Sequence, residues 1–127
     1  MRVKFDRIIK NDIEVEIYDE ELHAKSGDII VEFSKYEKDH GVFRPLFVVK
    51  GYFEKRFIDK YGTDSEEIRH HGTGYVDCFD LETGHIIRLQ YYEYRILKDS
   101  DSIRNQFVKR WETAKEIMEA INEKHAS

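Results

Sequence analysis

The sequence predicts an α+β fold, an antiparallel sheet of about six strands in sequential hairpins, covered by a mid-chain helix and a long C-terminal helix. Three observations support it. Short β-rich segments alternate apolar and polar residues, turn-forming clusters separate them, and the C-terminal segment changes to a helical period. A chain of 127 residues is long enough for one core, so we expect a single α+β domain over residues 1–127.

The first predicted hairpin joins residues 3–9 to residues 13–18, with Phe5 opposite Ile17 and the apolar side chains on one face. The second joins residues 29–36 to residues 43–50. Pro45, the only proline, lacks a backbone N–H, so its strand is expected to be an edge there or to carry a bulge.

The third predicted hairpin lies within residues 73–97 and turns between Asp80 and His85. In the register that side chains favour, Asp77 faces Arg88, and Cys78 faces the core. The strand that begins at His85 changes the parity of its apolar residues near Tyr91 and Tyr92. This change predicts a bulge and a bend.

Two segments have the spacing of amphipathic helices. Phe53, Phe57 and Tyr61 recur every four residues and predict the mid-chain helix. Residues 99–102 form a dense N-cap signal, and the helix that follows is expected to run to about residue 124. Its apolar stripe comprises Ile103, Phe107, Trp111, Ala114, Ile117, Met118 and Ile121.

Composition narrows the class of protein. Charged residues make up 37% of the chain, and an aromatic content of 13% argues against disorder. The net charge of −5 and the absence of a basic run argue against a nonspecific nucleic-acid binder. No segment resembles a secretory signal or a membrane span, so we expect a cytoplasmic protein that does not enter membranes.

The most chemically suggestive stretch precedes the third hairpin and consists of Arg69, His70, His71, Gly72, Thr73 and Gly74. Its glycines permit close backbone approach to a ligand, and consecutive N–H groups can form an anion-binding nest. The histidines can add positive charge below about pH 6.5. The alternative is a helix-to-strand connection without a binding role.

Within this stretch, His71-Gly72-Thr73 resembles the H-x-T tripeptide of the two-histidine phosphoesterases. The resemblance covers three residues and implies a phosphoesterase activity that needs a second copy of the tripeptide. The nearest second copy, at residues 125–127, has serine in the third position. This departure puts the activity in doubt, so no family membership is drawn from it.

A second candidate is the aromatic and basic strand that contains Tyr92, Tyr94 and Arg95. Tyrosine and arginine are enriched in interfaces, and arginine binds anions and stacks on rings. Alternatively, these rings cover the sheet under the long helix.

We predict a small non-enzymatic binding protein, homo-oligomeric, that sequesters a small anionic or nucleotide-like ligand. The expected ligand-binding residues are Arg69, His70, His71, Thr73, Arg88, Tyr92, Tyr94 and Arg95. No catalytic residue, metal ligand or cofactor is predicted. Two alternatives stay open: an acidic inhibitor or immunity-type module that binds a basic protein partner, and a hydrolase or phosphoesterase that uses His70 or His71.

Overall fold

The structure, a computed structural model, describes residues 2–5, 13–20, 22–33, 44–53, 74–90 and 93–126. It confirms the α+β class, with antiparallel sheet and a long C-terminal helix. The strands are β1 (Arg2–Phe5), β2 (Ile13–Glu16), β3 (Ile29–Glu32), β4 (Pro45–Phe53), β5 (Gly74–Asp80), β6 (Ile86–Gln90) and β7 (Tyr94–Ile96). The helices are α1 (Asp101–Gln106) and α2 (Val108–Ala126).

The main sheet has five strands in the order β6-β5-β4-β3-β7, and all neighbours are antiparallel. Strands β1 and β2 form a separate two-stranded sheet. An isolated bridge between Ile17 and Leu97 attaches it to β7, supported by a 2.9 Å hydrogen bond from the Tyr18 N–H to the Ile96 carbonyl. The three predicted hairpins are therefore present as strand pairs.

The main sheet is curled. Strands β6 and β7 lie at opposite edges, yet only residues 91–93 separate them in the chain. Four Cα steps reach at most about 14 Å, whereas the edges of a flat five-stranded sheet lie about 19 Å apart. The Glu93 N–H also donates to the Gln90 carbonyl at 3.0 Å, which tightens the connection. The strand expected to run on from His85 is divided into β6 and β7, and Tyr91 and Tyr92, where the bulge was predicted, lie outside the described residues.

Each face of the curled sheet carries a buried cluster. The first core cluster lies under the helices and includes Phe47, Phe79, Ile103 and Ala114. The predicted helical stripe is confirmed, because its remaining members pack against this cluster. The second cluster contains residues of both edge strands, including Leu89 and Ile96, so it fills the inside of the curl.

The turn between β5 and β6 follows the predicted register. The Asp80 N–H donates to the His85 carbonyl at 2.8 Å, and Asp77 pairs with Arg88. The Asp80 side chain is only 1% exposed. Its Oδ1 accepts a hydrogen bond from the backbone N–H of Glu82. Its Oδ2 lies 3.3 Å from the Arg44 guanidinium and forms an ion pair that lacks hydrogen-bond geometry. Burial of the carboxylate is thus compensated by charge and by the turn backbone.

The predicted register of the first hairpin is wrong. Phe5 pairs with Ile13 rather than with Ile17, a shift of four residues. An even shift leaves every side chain on the same face, so alternation of apolar residues cannot distinguish the two registers. Ile17 is fully buried and pairs with Leu97 instead. The turn of this hairpin lies outside the described residues.

Pro45 does not mark an edge. It is the first residue of β4, which lies between β3 and β5, and the first position of a strand tolerates a missing N–H. The strand does carry a bulge, but at Val49, where the pairing with β5 skips one residue.

The C-terminal helix is interrupted at Phe107, between α1 and α2. Ser100 occupies the N-cap position without a side-chain hydrogen bond, while Asp99 Oδ1 accepts from the Asp101 N–H at 3.0 Å. The predicted cap therefore works through a neighbouring carboxylate. Neither α1 nor α2 is long and apolar enough to cross a membrane. Apart from Phe53, which ends β4, the expected mid-chain helix lies outside the described residues.

Candidate functional site

Two rows of side chains cross β4, β5 and β6 on the face that also carries the helices. In the first row Lys50 is opposite Asp77, which is opposite Arg88. In the second row Tyr52 is opposite Tyr75, which is opposite Gln90. We call these six residues the β4–β6 patch. All six are at least partly exposed, unlike Phe47 and Phe79 of the same face, so the patch lies beyond the helical cover.

The bulge at Val49 brings Lys50 and Tyr52 to this face. Val48 belongs to the inner cluster, and Val49 to the cluster under the helices. In a regular strand the residue after Val49 would point inward again. Because the bulge leaves Val49 without a partner on β5, Lys50 and Tyr52 instead lie opposite Asp77 and Tyr75.

The aromatic rings of the patch are stacked and covered by cations. Tyr52 and Tyr75 lie 4.6 Å apart between ring centroids, with an interplanar angle of 26°. The Arg88 guanidinium carbon is 4.0 Å from the Tyr75 centroid, and Lys50 Nζ is 5.5 Å from the Tyr52 centroid. Both distances fall within the range of cation–π attraction, about 6 Å. The patch therefore presents π surface and positive charge together.

Asp77 and Arg88 form a bidentate ion pair. Arg88 Nε donates to Asp77 Oδ1 at 2.8 Å, and Arg88 Nη2 donates to Oδ2 at 3.2 Å. The hydrogen bond to Asp77 raises the pKa of Arg88 above its ordinary value. Partial burial, and then the charge of Asp77, raise the pKa of Tyr52, so its hydroxyl stays neutral at physiological pH.

Among the predicted site residues, Arg88 belongs to the patch, whereas Tyr94 and Arg95 lie elsewhere. Tyr94 is fully buried in the inner cluster, and its hydroxyl accepts a 2.9 Å hydrogen bond from the Ala24 N–H. Arg95 lies over the Phe33 ring at 4.6 Å and donates to the Tyr94 carbonyl at 2.9 Å. These three residues therefore do not form one concave site.

The other predicted site residues are Arg69, His70, His71, Thr73 and Tyr92, and they lie outside the described residues. Gly74, which ends the suggestive stretch, pairs with Phe53 directly beyond the Tyr52–Tyr75 pair. The last residue of that stretch therefore lies beside the patch.

Of the six patch residues, the sequence prediction named only Arg88 as a site residue and missed Lys50, Tyr52, Tyr75, Asp77 and Gln90. Tyr75 had a usable signal, because it alternates with Val76 and so shares a face with Asp77. Tyr52 had none, because its side depends on the bulge and its partner depends on pairing between β4 and β5.

A separate groove of about 400 Å³ lies where α1 meets α2 and is lined by Leu81, Glu82 and residues 105–110. Arg110, one of its cations, packs closely against Gly84 of the β5–β6 turn. In the described ranges, no three His, Cys, Asp or Glu side chains group as metal ligands would.

The fold and the patch together define an α+β protein with an aromatic and cationic surface on a curled antiparallel sheet. Comparison with protein-family models, with curated proteins and with solved structures finds no match. Function is therefore inferred from the chemistry of the patch.

Proposed function

We propose that this chain is a non-enzymatic binding protein for a small anionic ligand with a planar ring, such as a nucleotide. The observation that carries the proposal is the stacked Tyr52–Tyr75 pair with Arg88 held 4.0 Å above Tyr75. Aromatic rings stack on nucleobases, and arginine binds phosphate or carboxylate through paired hydrogen bonds. Both requirements of such a ligand are met within one patch.

The local charge favours an anion over a basic protein partner. The chain as a whole has a net charge of −5, but the patch contains two cations, Lys50 and Arg88, and one anion, Asp77. An inhibitor of a basic partner would be expected to present an acidic surface at its contact site. The net positive charge of the patch therefore supports the small-anion proposal over the inhibitor alternative.

The titratable groups of the patch suit binding better than proton transfer. The pKa values of Tyr52 and Arg88 are raised, so both pKa values lie even further above neutral pH than usual. A general acid or base works best when its pKa lies near the working pH. The hydrolase alternative depends on His70 or His71 and stays a prediction, as do the cytoplasmic location and the homo-oligomeric state.

A thermal-shift screen followed by calorimetry tests the proposal. Adenosine 5′-monophosphate is expected to raise the melting temperature, and ribose 5-phosphate, which lacks the planar base, is expected to raise it less. Tyr75→Leu should weaken binding by about 1–3 kcal/mol, the contribution of one stacked base.

The matched control is Tyr18→Leu. Tyr18 is also exposed and also lies near a lysine, Lys98 Nζ at 5.4 Å from its ring centroid, but it follows β2 and is not part of the β4–β6 patch. Its replacement should leave affinity unchanged. The proposal would be abandoned if no nucleotide or sugar phosphate shifted the melting temperature at millimolar concentration, or if both variants bound equally well.

A further inference from the structure

We propose that Asp77 is a positioning residue that holds Arg88 ready for the oxygens of an anion; this inference rests on the proposed function. Asp77 is the middle residue of the charged row, between Lys50 on β4 and Arg88 on β6. Its carboxylate is 19% exposed, against 56% for the Arg88 side chain, so the partner that fixes the geometry is the more buried one.

Asp77 uses only one edge of the guanidinium. Its two hydrogen bonds come from Nε and Nη2 of Arg88, which form the side-on edge. The end-on edge, formed by the two Nη atoms, has the geometry for a second bidentate contact with a carboxylate or phosphate. A ligand oxyanion can therefore bind Arg88 without displacing Asp77.

The ring of Tyr75 fixes the guanidinium from a second direction. The guanidinium carbon lies 4.0 Å from the Tyr75 centroid and 6.0 Å from the Tyr52 centroid. Asp77 holds the guanidinium through two hydrogen bonds, and Tyr75 contacts it through the aromatic ring. A long exposed side chain normally loses much rotamer freedom when it binds, and ordering it beforehand reduces that loss.

This arrangement defines the ligand class more narrowly. The guanidinium of Arg88 lies beside the stacked rings, with its carbon 4.0 Å from the Tyr75 centroid. A ligand that uses both therefore needs its planar ring and its oxyanion close together. A nucleoside monophosphate meets this requirement, whereas free phosphate lacks the ring and adenosine lacks the charge. We expect adenosine 5′-monophosphate to bind more tightly than either of them.

The decisive variant is Asp77→Asn, because two mechanisms predict opposite results. If Asp77 only competes with the ligand for Arg88, its neutralisation should tighten binding of adenosine 5′-monophosphate. If Asp77 positions Arg88, the same change should weaken binding by about three- to tenfold, the effect of having to order one long side chain. Calorimetry on the wild type and the variant measures the difference.

Two further measurements separate positioning from general damage to the fold. Asp77→Asn introduced into Arg88→Gln should have no further effect on affinity, because a positioning residue acts only through the residue it positions. In the NMR spectrum, the Arg88 Nε–H signal should be resolved in the wild type and lost to solvent exchange in Asp77→Asn. Melting temperatures of all variants, followed by Trp111 fluorescence, report whether each variant folds.

The outcomes distinguish this inference from the proposed function. Binding by the wild type together with equal or tighter binding by Asp77→Asn would overturn the positioning role and leave the proposed function standing. Additive effects in the double variant would overturn it in the same way. Failure of the wild type to bind any probe would remove the proposed function and this inference with it.

Discussion

Tyr94 shows how one hydroxyl group can fix a side chain inside the sheet. Its ring is fully buried in the inner cluster, and its hydroxyl accepts from the Ala24 N–H, seventy positions earlier in the chain. A buried tyrosine with a satisfied hydroxyl has the environment of a core residue. The same residue type therefore serves the core at Tyr94 and the patch at Tyr75.

Tyr94→Phe is expected to lower the free energy of unfolding by about 1–3 kcal/mol, because the buried Ala24 N–H loses its acceptor. Urea unfolding followed by Trp111 fluorescence measures the change. Tyr18→Phe, at a position 39% exposed, is the control and should stay within about 0.5 kcal/mol of the wild type. Equal effects of the two variants would contradict the importance of the Ala24 hydrogen bond.

Strand β4 and helix α2 contribute to the patch in different ways. The bulge at Val49 reverses the side-chain alternation in the second half of β4, so that the buried Phe47 and the partly exposed Tyr52 lie on the same face. Helix α2 covers only part of this face, with Trp111 packed edge-on against Phe47 at 5.2 Å between centroids. The patch begins where this cover ends.

Ala114 tests the closeness of the contact between helix and sheet. Its side chain, on the side of α2 that faces the sheet, is fully buried, whereas Ala120 of the same helix is exposed. Ala114→Leu should lower the free energy of unfolding by about 1–3 kcal/mol through overpacking. Ala120→Leu should change it by less than about 0.5 kcal/mol. Denaturant unfolding of both variants makes the comparison, and a neutral Ala114→Leu would show that the layer has room to spare.

At the scale of the whole molecule, stability depends on two clusters on opposite faces of one curled sheet. Strand β5 contributes to both, with Cys78 and Val76 on the inner side and Phe79 on the helical side. Burial, and then the charge of Asp77, raise the pKa of the Cys78 thiol far above its ordinary range. The thiol is therefore neutral and unreactive in the folded protein.

This shift links global stability to alkaline pH. Because the pKa of the Cys78 thiol is raised in the folded state, the neutral thiol makes its full contribution to the free energy of unfolding at pH values below the unfolded thiol pKa, about 8.5. As the pH rises above that value, the unfolded state ionises first, and stability falls by up to about 1.4 kcal/mol per pH unit. Cys78→Val lacks a titrating group, so its free energy of unfolding should fall less between about pH 8.5 and 10. Parallel pH profiles of the two proteins, measured by urea unfolding, would contradict this linkage.

Sequence alone determined the features that depend on neighbours in the chain. Alternation predicted the strand pairs, the turn at residues 80–85 set the register that joins Asp77 to Arg88, and helical spacing predicted the apolar stripe of the C-terminal helix. Each of these follows from a local period or a short loop, where the choice of partner is limited. The same reasoning could not choose between registers of the first hairpin, because a shift by an even number of residues keeps the alternation of apolar and polar positions.

Tertiary structure decided which distant segments meet. The pairing of β4 with β5 brings Tyr52 to Tyr75, and the bulge at Val49 selects the face on which they meet. The curl then sends Tyr94 into the core while Arg88 stays exposed. Contacts between residues far apart in sequence depend on the packing of the whole sheet, which no local period encodes. The stacked pair that carries the proposed function is such a contact.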